Sequence, residues 1–470
     1  MSFYNDLEKY SGNTAVITEQ SGQKSYKDLL EAAGYIGQQV IKRCLVFVVC
    51  KNCFESLAGY IGLMRAGAVQ VLINDTIDRT LFFNLLEAYK PQYIYLPAEK
   101  SGLNVACSTV CSYGSYELLI TSYKADYSLH DDLALLLTTS GSTGSPKLVR
   151  LSHKNINSNA EAIAQYLEIT STDRPITTMP MSYSYGLSII NSHLLKGASV
   201  ILTEATLMER RFWEITRNNN ATTFGGVPYV YEMLKKLHFE RMDLPSLRYL
   251  TQAGGKLSPE LSAEFADICV QKGIKFYVMY GQTEATARMS YLPWEHAQTK
   301  AGSMGIAIPG GRFWLEDENG NLIEESDKPG ELVYQGDNVA LGYAENCHDL
   351  SKGDEDNGVL HTGDVAKRDE EGFYYVVGRK KRFLKMFGNR VNLHEVEQLI
   401  RAAGYDCVCA GTDDNLMIYV TKPDDKNQIR SYVAERTGIN QAGFSVLCID
   451  KIPRNESGKV LYSRLERVGL

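Results

Sequence analysis

The sequence predicts an α/β protein in two parts: a large N-terminal domain of helix-covered mixed or parallel sheets with a small β subdomain, then a small α+β C-terminal domain. Three observations carry this. From Ser25 to Met279, apolar runs of strand length alternate with helical segments, the pattern that lays helices over a parallel sheet. From Gly330 the chain turns to short strands separated by Gly turns. At Lys380–Lys381 the composition shifts, which places a boundary between residues 1–380 and 381–470.

Taken in order, Ser25 to Gln39 has helical spacing and starts at Ser25 or Tyr26. Cys44 to Cys50 is a continuous apolar strand of the kind buried on both faces. Ser56 to Arg65 is a helix that stops at Ala66-Gly67-Ala68, and Val69–Ile73 and Pro91–Leu96 are further strands. Leu133–Leu137 then leads into Thr138-Thr139-Ser140-Gly141-Ser142-Thr143-Gly144-Ser145-Pro146-Lys147, and Leu148–Leu151 reads as the returning strand. In this loop small residues leave backbone N–H groups uncovered, hydroxyls add donors and Lys147 adds a cation. Such a loop can wrap polyphosphate oxygens as an anion nest. It is not a Walker A loop, because Pro146 stands where the second Gly belongs.

Asn155–Leu167 is helical, and the aromatic segment Met179–Leu187 precedes a helix at Ser188–Leu195. The strand Ser199–Leu202 follows, and Thr223 to Pro228 is a strand ending in a tight bend. Leu247–Thr251 ends in Ala253-Gly254-Gly255-Lys256, where a flat ligand can approach the backbone. Ile274–Met279 ends in Tyr280-Gly281-Gln282-Thr283-Glu284. The carboxylate there suits Mg²⁺, which takes one or two carboxylates plus substrate phosphates. The β subdomain comprises Glu331–Tyr334, Leu341-Gly342-Tyr343, His361–Asp364 and Phe373–Gly378. Asp364 and Arg379 suit sugar hydroxyls, or a structural salt bridge. Arg379–Arg382 reads as a solvated linker. In the tail, Phe383–Val391 and Glu395–Arg401 lead to strands Cys407–Ala410 and Leu416–Val420 and a helix Gln428–Arg436. A Pro- and Gly-bearing loop then ends in Lys459.

The 470 residues exceed one simple core. Hydrophobic residues at 44% and charged residues at 22% match an ordinary soluble enzyme. A net charge of -7 argues against nucleic-acid binding, which needs a basic face. The polar start MSFYNDLEKYSG is unlike a secretory leader, and the longest apolar run, Cys44–Cys50, is far short of a membrane span. Neither Cys107 with Cys111 nor Cys407 with Cys409 has zinc spacing, so the ten cysteines read as free thiols of a cytoplasmic protein.

Six segments together resemble the adenylate-forming superfamily of acyl-CoA synthetases, firefly-type luciferases and peptide-synthetase adenylation domains. TSGSTGSPKL resembles its phosphate loop, with Leu148 in place of the final Gly, and YGQTE its Tyr-Gly-x-Thr-Glu element. GELVYQGDNVALGY, HTGD, GRKKRFLKMFGNRVNLHEVE and PRNESGK match four further elements in the same order. The resemblance covers nearly the whole chain. It implies a ligase that uses ATP and Mg²⁺ to join a small carboxylic acid to the thiol of coenzyme A, or to the phosphopantetheine of an acyl carrier protein. It further implies that Thr139, Ser140, Gly141, Ser142, Thr143, Gly144 and Lys147 hold the β- and γ-phosphates. Gly254 and Gly255 would sandwich the adenine against Tyr280, with Gly281 and Gln282 beside it. Thr283 would touch the α-phosphate, Glu284 the metal, and Asp364 and Arg379 the ribose.

Lys459 would be the catalytic residue of adenylation, and no general base is needed because a carboxylate is already nucleophilic. Family members rotate the C-terminal domain between the two half-reactions. Lys381 stands at the hinge position, and Lys385, Gly388 and Arg390 would line the thiol path. MPMSYSYGL stands where acyl-CoA synthetases carry a Pro-x-x-His-x-x-Gly-like segment, with Tyr183 in the His place. Tyr183, Tyr185, Gly186, Gly226, Val227 and Gly254 are the acyl-pocket candidates. Amino-acid-activating relatives place an Asp here, and none lies between Met179 and Leu195, which favours an organic, aryl or fatty acid. A non-catalytic nucleotide-binding relative is the reading from another class.

Overall fold

The computed structural model describes all residues except 1, 20–21, 104, 139–146, 381–382, 387–388, 413, 424–425, 438, 455–459 and 466–470. Contacts divide the chain into two compact units, Met1–Arg312 with Tyr334–Leu360, and Phe313–Val333 with His361–Leu470. The composition shift at Lys380–Lys381 falls inside the second of these.

The first unit holds two large sheets. One has nine strands in the order Ile306–Ala307, Ser290–Tyr291, Lys275–Tyr280, Tyr249–Gln252, Thr223–Gly226, Pro175–Ile176, Val200–Leu202, Thr14–Thr18 and Gly22–Ser25. The other has eight: Gly342–Ala344, Leu148–Ser152, Leu133–Thr138, Val69–Asn74, Leu45–Cys50, Tyr93–Pro97, Tyr116–Thr121 and Cys107–Tyr113. The middle of each sheet is parallel and the outer strands are antiparallel.

The helices Phe54–Arg65 and Ser184–Leu195 have buried residues on nearly every side. A helix apolar all round needs cover all round. One core supplies it, joining Val16, Val200 and Leu202 of the first sheet to Val46, Val48 and Leu72 of the second, with Leu57, Ile61, Leu187 and Ile190 of the two helices.

Local signals act where the sequence places them. Ser25 caps the helix Tyr26–Gly37 reciprocally with Asp28. The helix Ser184–Leu195 starts four residues earlier than its apolar spacing suggests. Tyr183 is the extended cap residue, and Gly186 lets the first turn close on the Pro180 carbonyl, where a Cβ would collide. That contact is tertiary, so periodicity does not report it.

The segment Leu341-Gly342-Tyr343 corrects the expected β subdomain. Gly342–Ala344 pairs antiparallel with Leu148–Ser152 and forms the end strand of the eight-stranded sheet. The reason is Arg150, wholly buried on Leu148–Ser152. Its Nη2 donates to the Leu341 carbonyl at 2.7 Å and to the Glu355 carboxylate, its Nε to the Tyr343 carbonyl at 3.0 Å, and its Nη1 to the carbonyls of Gly353 (3.1 Å) and Lys352. A buried guanidinium needs such a set of acceptors. At the other end of the sheet, Cys107–Tyr113 is irregular between Thr109 and Cys111.

The second unit carries the four-stranded sheet Arg312–Glu316, Gly330–Gln335, Val359–Arg368, Tyr374–Arg379. A hairpin, Phe383–Met386 with Asn389–Asn392, leads to the helix Leu393–Ala402. A three-stranded sheet then follows, Cys407–Thr412, Asn415–Val420 and Phe444–Cys448, with the helix Lys426–Thr437. The start of the basic run is not a linker. Arg379 ends a strand, and Lys380 pairs with Glu331 at 2.6 Å. Among the described residues no helix is long and apolar enough to cross a membrane.

Arg150→Met is expected to lower the stability of the first unit by about 3 kcal/mol, because buried carbonyls lose their donor. Glu355→Gln, at a side chain that is itself half exposed, should cost less than about 1 kcal/mol. Urea unfolding of both variants checks this.

Candidate active site

Strands in open α/β sheets present ligands at their carboxyl ends. The strand Leu133–Thr138 runs into residues 139–146, so Thr139, Ser140, Gly141, Ser142, Thr143 and Gly144 lie outside the described residues. Lys147, where description resumes, places its ammonium 3.6 Å from the centroid of the Tyr343 ring. The Tyr343 hydroxyl in turn donates to Glu284 Oε1 at 2.7 Å. Burial, and then the Glu284 charge, push the Tyr343 phenol well above its ordinary range, so it remains a donor. The sequence reading named Lys147 and Glu284 but not the ring between them. The sequence around Tyr343 reads as a plain strand and carries no signal for the role of its ring.

The turn after Lys275–Tyr280 is built tightly. A Cβ on Gly281 would collide with the Ala287 carbonyl, so only glycine fits. Gln282 donates to the Tyr280 hydroxyl at 3.0 Å. Thr283–Ala285 forms one short helical turn, and Thr286 follows at φ +65°, a strained conformation for a β-branched residue. Its hydroxyl is held by the Asn338 carbonyl at 2.8 Å, and Asn338 Nδ2 donates to the Ala285 carbonyl at 2.9 Å. The Thr283 hydroxyl lies 3.3 Å from that of Ser184, at the start of the helix Ser184–Leu195. Asn155, beside the cap of the helix His153–Tyr166, donates to the carbonyls of Asp337 (2.8 Å) and Val339 (2.7 Å), which fixes the segment carrying Asn338.

The acyl-pocket candidates of this unit are neighbours. Gly254 has φ +80°, and a Cβ there would stand 2.6 Å from the Tyr183 hydroxyl and 3.0 Å from Val227 Cγ1. The space in front of Gly254 is therefore bounded by Tyr183 and Val227, and Gly255 beside it is exposed. Burial pushes the Tyr183 phenol up to about 12. Tyr185 packs edge-on to Tyr183 at 6.4 Å, and its hydroxyl donates to the Thr251 carbonyl at 3.0 Å. Gly226 faces Val230 and Tyr231 of its own following helix, so its lack of a side chain serves close packing.

In the second unit, Asp364 is buried and pairs with exposed Arg379 at 2.6 Å, as register partners on adjacent strands. Lys385 and Arg390 are register partners across the hairpin. Lys381, Gly388 and Lys459 lie outside the described residues.

Among the described residues, no three His, Cys, Asp or Glu side chains group as a metal cage. One further close cysteine pair, Cys50 with Cys53, ends a strand and precedes the helix Phe54–Arg65. Burial pushes both thiols up to about 12, which makes them inert.

Residues 3–344 match a family of known proteins described as AMP-binding enzyme. The chain belongs to that family. Within it, the chain is 27% identical over 441 residues to the 2-succinylbenzoate–CoA ligase of Bacillus mycoides (strain KBAB4), covering 90% of this chain and 88% of the relative. It is 28% identical over 354 residues to the oxalate–CoA ligase of Arabidopsis thaliana, covering 70% and 66%. Its fold is that of the O-succinylbenzoate coenzyme A synthetase (MenE) from Bacillus subtilis, solved in complex with AMP. The TM-score is 0.80 at 22% identity, over 99% of this chain and 98% of that one.

If Glu284 bears a nucleotide-bound cation, Tyr343→Phe removes the hydrogen bond that orients it. Affinity for Mg²⁺-ATP is then expected to fall by roughly tenfold, with AMP affinity in chelator unchanged, as read by calorimetry.

Proposed function

We propose that this AMP-binding enzyme is an ATP-dependent acid–CoA ligase. It activates a carboxylic acid as the acyl-adenylate with release of pyrophosphate, then passes the acyl group to the thiol of coenzyme A. The observation that carries this reading is the linked set Lys147, Tyr343 and Glu284. It places a cation at the end of the glycine- and hydroxyl-rich loop beside one oriented carboxylate. Relatives named as CoA ligases of different acids support the reaction and leave the acid open.

The residues present fit the groups this reaction needs. Mg²⁺ bound to phosphates asks the protein for only one or two carboxylates, and Glu284 is such a ligand, held by a phenol. We assign the flat base to Gly254 and Gly255, which carry no side chains, and the opposing ring to Tyr280. When bound, the metal neutralises phosphate charge.

The remaining chemistry is positioning and electrostatics. The substrate carboxylate attacks the α-phosphorus, the bond to the bridging oxygen breaks, and pyrophosphate carries away the electron pair. Thr283 holds an α-phosphate oxygen, and the Lys459 ammonium neutralises charge that develops between carboxylate and α-phosphate. Asp364 accepts from the ribose hydroxyls, and Arg379 orients it. The residues 381–470 then turn about Lys381, so that Lys459 gives way to Lys385, Gly388 and Arg390 for the attack of the thiol. The ten cysteines, all free and six of them buried, suit work in the reducing cytoplasm.

The test is acid-dependent exchange of labelled pyrophosphate into ATP across short, long, aromatic and amino acids. One class should support exchange. Lys459→Ala should abolish it while sparing thioester formation from supplied acyl-adenylate, measured by mass spectrometry with coenzyme A and with a carrier protein. Equal loss of both half-reactions would remove Lys459 from its assigned role.

A further inference from the structure

Arg288 is a cation without a counter-ion. It follows the Tyr280–Glu284 turn, is 2% exposed, and pairs with no acidic side chain among the described residues. Its Nε donates to the Ser188 hydroxyl at 3.1 Å, and its Nη1 to the Tyr166 hydroxyl at 3.0 Å with Met279 Sδ at 3.3 Å. The guanidinium carbon lies 5.1 Å from the centroid of the Tyr185 ring. Nη2 donates to nothing among the described residues. Every neighbour is neutral, and a buried ion held only by neutral groups is costly. Elsewhere this fold supplies a carboxylate to a buried guanidinium: Arg150 meets Glu355.

The position of Arg288 suggests where the missing anion comes from. The helix Ser184–Leu195 is touched at two points one turn apart, by Thr283 at Ser184 and by Arg288 at Ser188. Four residues of helix rise about 6 Å along the axis. Tyr185, between Ser184 and Ser188 in the chain, has the guanidinium over its ring, and Tyr183 packs edge-on to it with its hydroxyl beside Gly254. In the ligase reading Thr283 marks the end where the acid reacts, and Arg288 meets the same helix roughly one short acyl chain away.

We propose that the acid activated by this protein carries a second carboxylate, and that Arg288 receives it as the specificity-determining residue. The inference rests on the ligase reading above. A short dicarboxylic acid supplies one carboxylate to the α-phosphate and the other to Nη2, which completes an ion pair that the protein alone leaves open.

The test is pyrophosphate exchange on matched acids: succinate against butyrate, glutarate against pentanoate, and phthalate against benzoate. The wild-type protein should favour the dicarboxylate of at least one pair by about tenfold or more in kcat/KM. Arg288→Met should lower that value by about a hundredfold and leave the monocarboxylate unchanged or faster, while Arg288→Lys keeps part of the preference. Preference for the monocarboxylate in every pair, or an equal loss on both members in the Met variant, overturns the proposal and leaves the ligase reading intact. No exchange with any acid overturns both. If the Met variant fails to fold, the wild-type preference and the Lys variant decide.

Discussion

A guanidinium cannot be buried without acceptors, and the way Arg150 meets that demand shapes the candidate active site. The acceptors are mainly backbone carbonyls from residues 341–353, close to two hundred positions away in sequence. Collecting them draws the strand Gly342–Ala344 onto Leu148–Ser152. That strand carries Tyr343, which therefore lies beside Lys147 on one side and Glu284 on the other. Asn155 and Asn338 extend the same framework, tying a helix start and the strained turn at Thr286 to the segment that precedes Tyr343. The segments that carry charge, ring and carboxylate are thus tied together through backbone carbonyls, and the three groups then meet side chain to side chain.

Such a framework suits a reaction with little proton transfer. Acid activation needs donors and cations arranged around phosphate oxygens before the substrate arrives, and a preset arrangement avoids reorganisation as charge moves. The Tyr343 phenol, kept protonated by burial and by its carboxylate neighbour, serves that purpose without titrating near neutrality. Buried Tyr185 carries a different load, with its hydroxyl bound to a strand and its ring beneath a cation.

Much of this was legible in the sequence. Alternating apolar and helical segments located most central strands of the two large sheets and the helices Tyr26–Gly37, Phe54–Arg65 and His153–Tyr166, because each depends on residues close together in the chain, but not the helices Arg79–Tyr89, Arg210–Asn218, Pro228–Lys236 and Pro259–Lys272. The capping signal at Ser25 and the turn after Tyr280 were equally local. What periodicity did not disclose arises from distant pairing. The start of the helix at Ser184 depends on Gly186 meeting Pro180. The membership of Gly342–Ala344 in the larger sheet depends on Arg150. Arg288 looks in sequence like one more charged residue after a turn, and only its neutral surroundings mark it out. The site residues on the phosphate loop and at Lys459 were read from the resemblance, since a Ser/Gly loop or a single lysine identifies little by itself.

The short strand Gly342–Ala344 also has a consequence for the behaviour of the chain in concentrated solution. Leu148–Ser152 is buried along its length, and without its cover it would offer unpaired N–H and C=O groups on an apolar margin, a template for strand addition by another chain. The far margin of the same sheet is guarded differently, by Ser108, Thr109 and Ser112 and by the irregularity before Cys111. The arginine that brings Tyr343 beside Lys147 and Glu284 therefore also keeps this margin of the sheet covered.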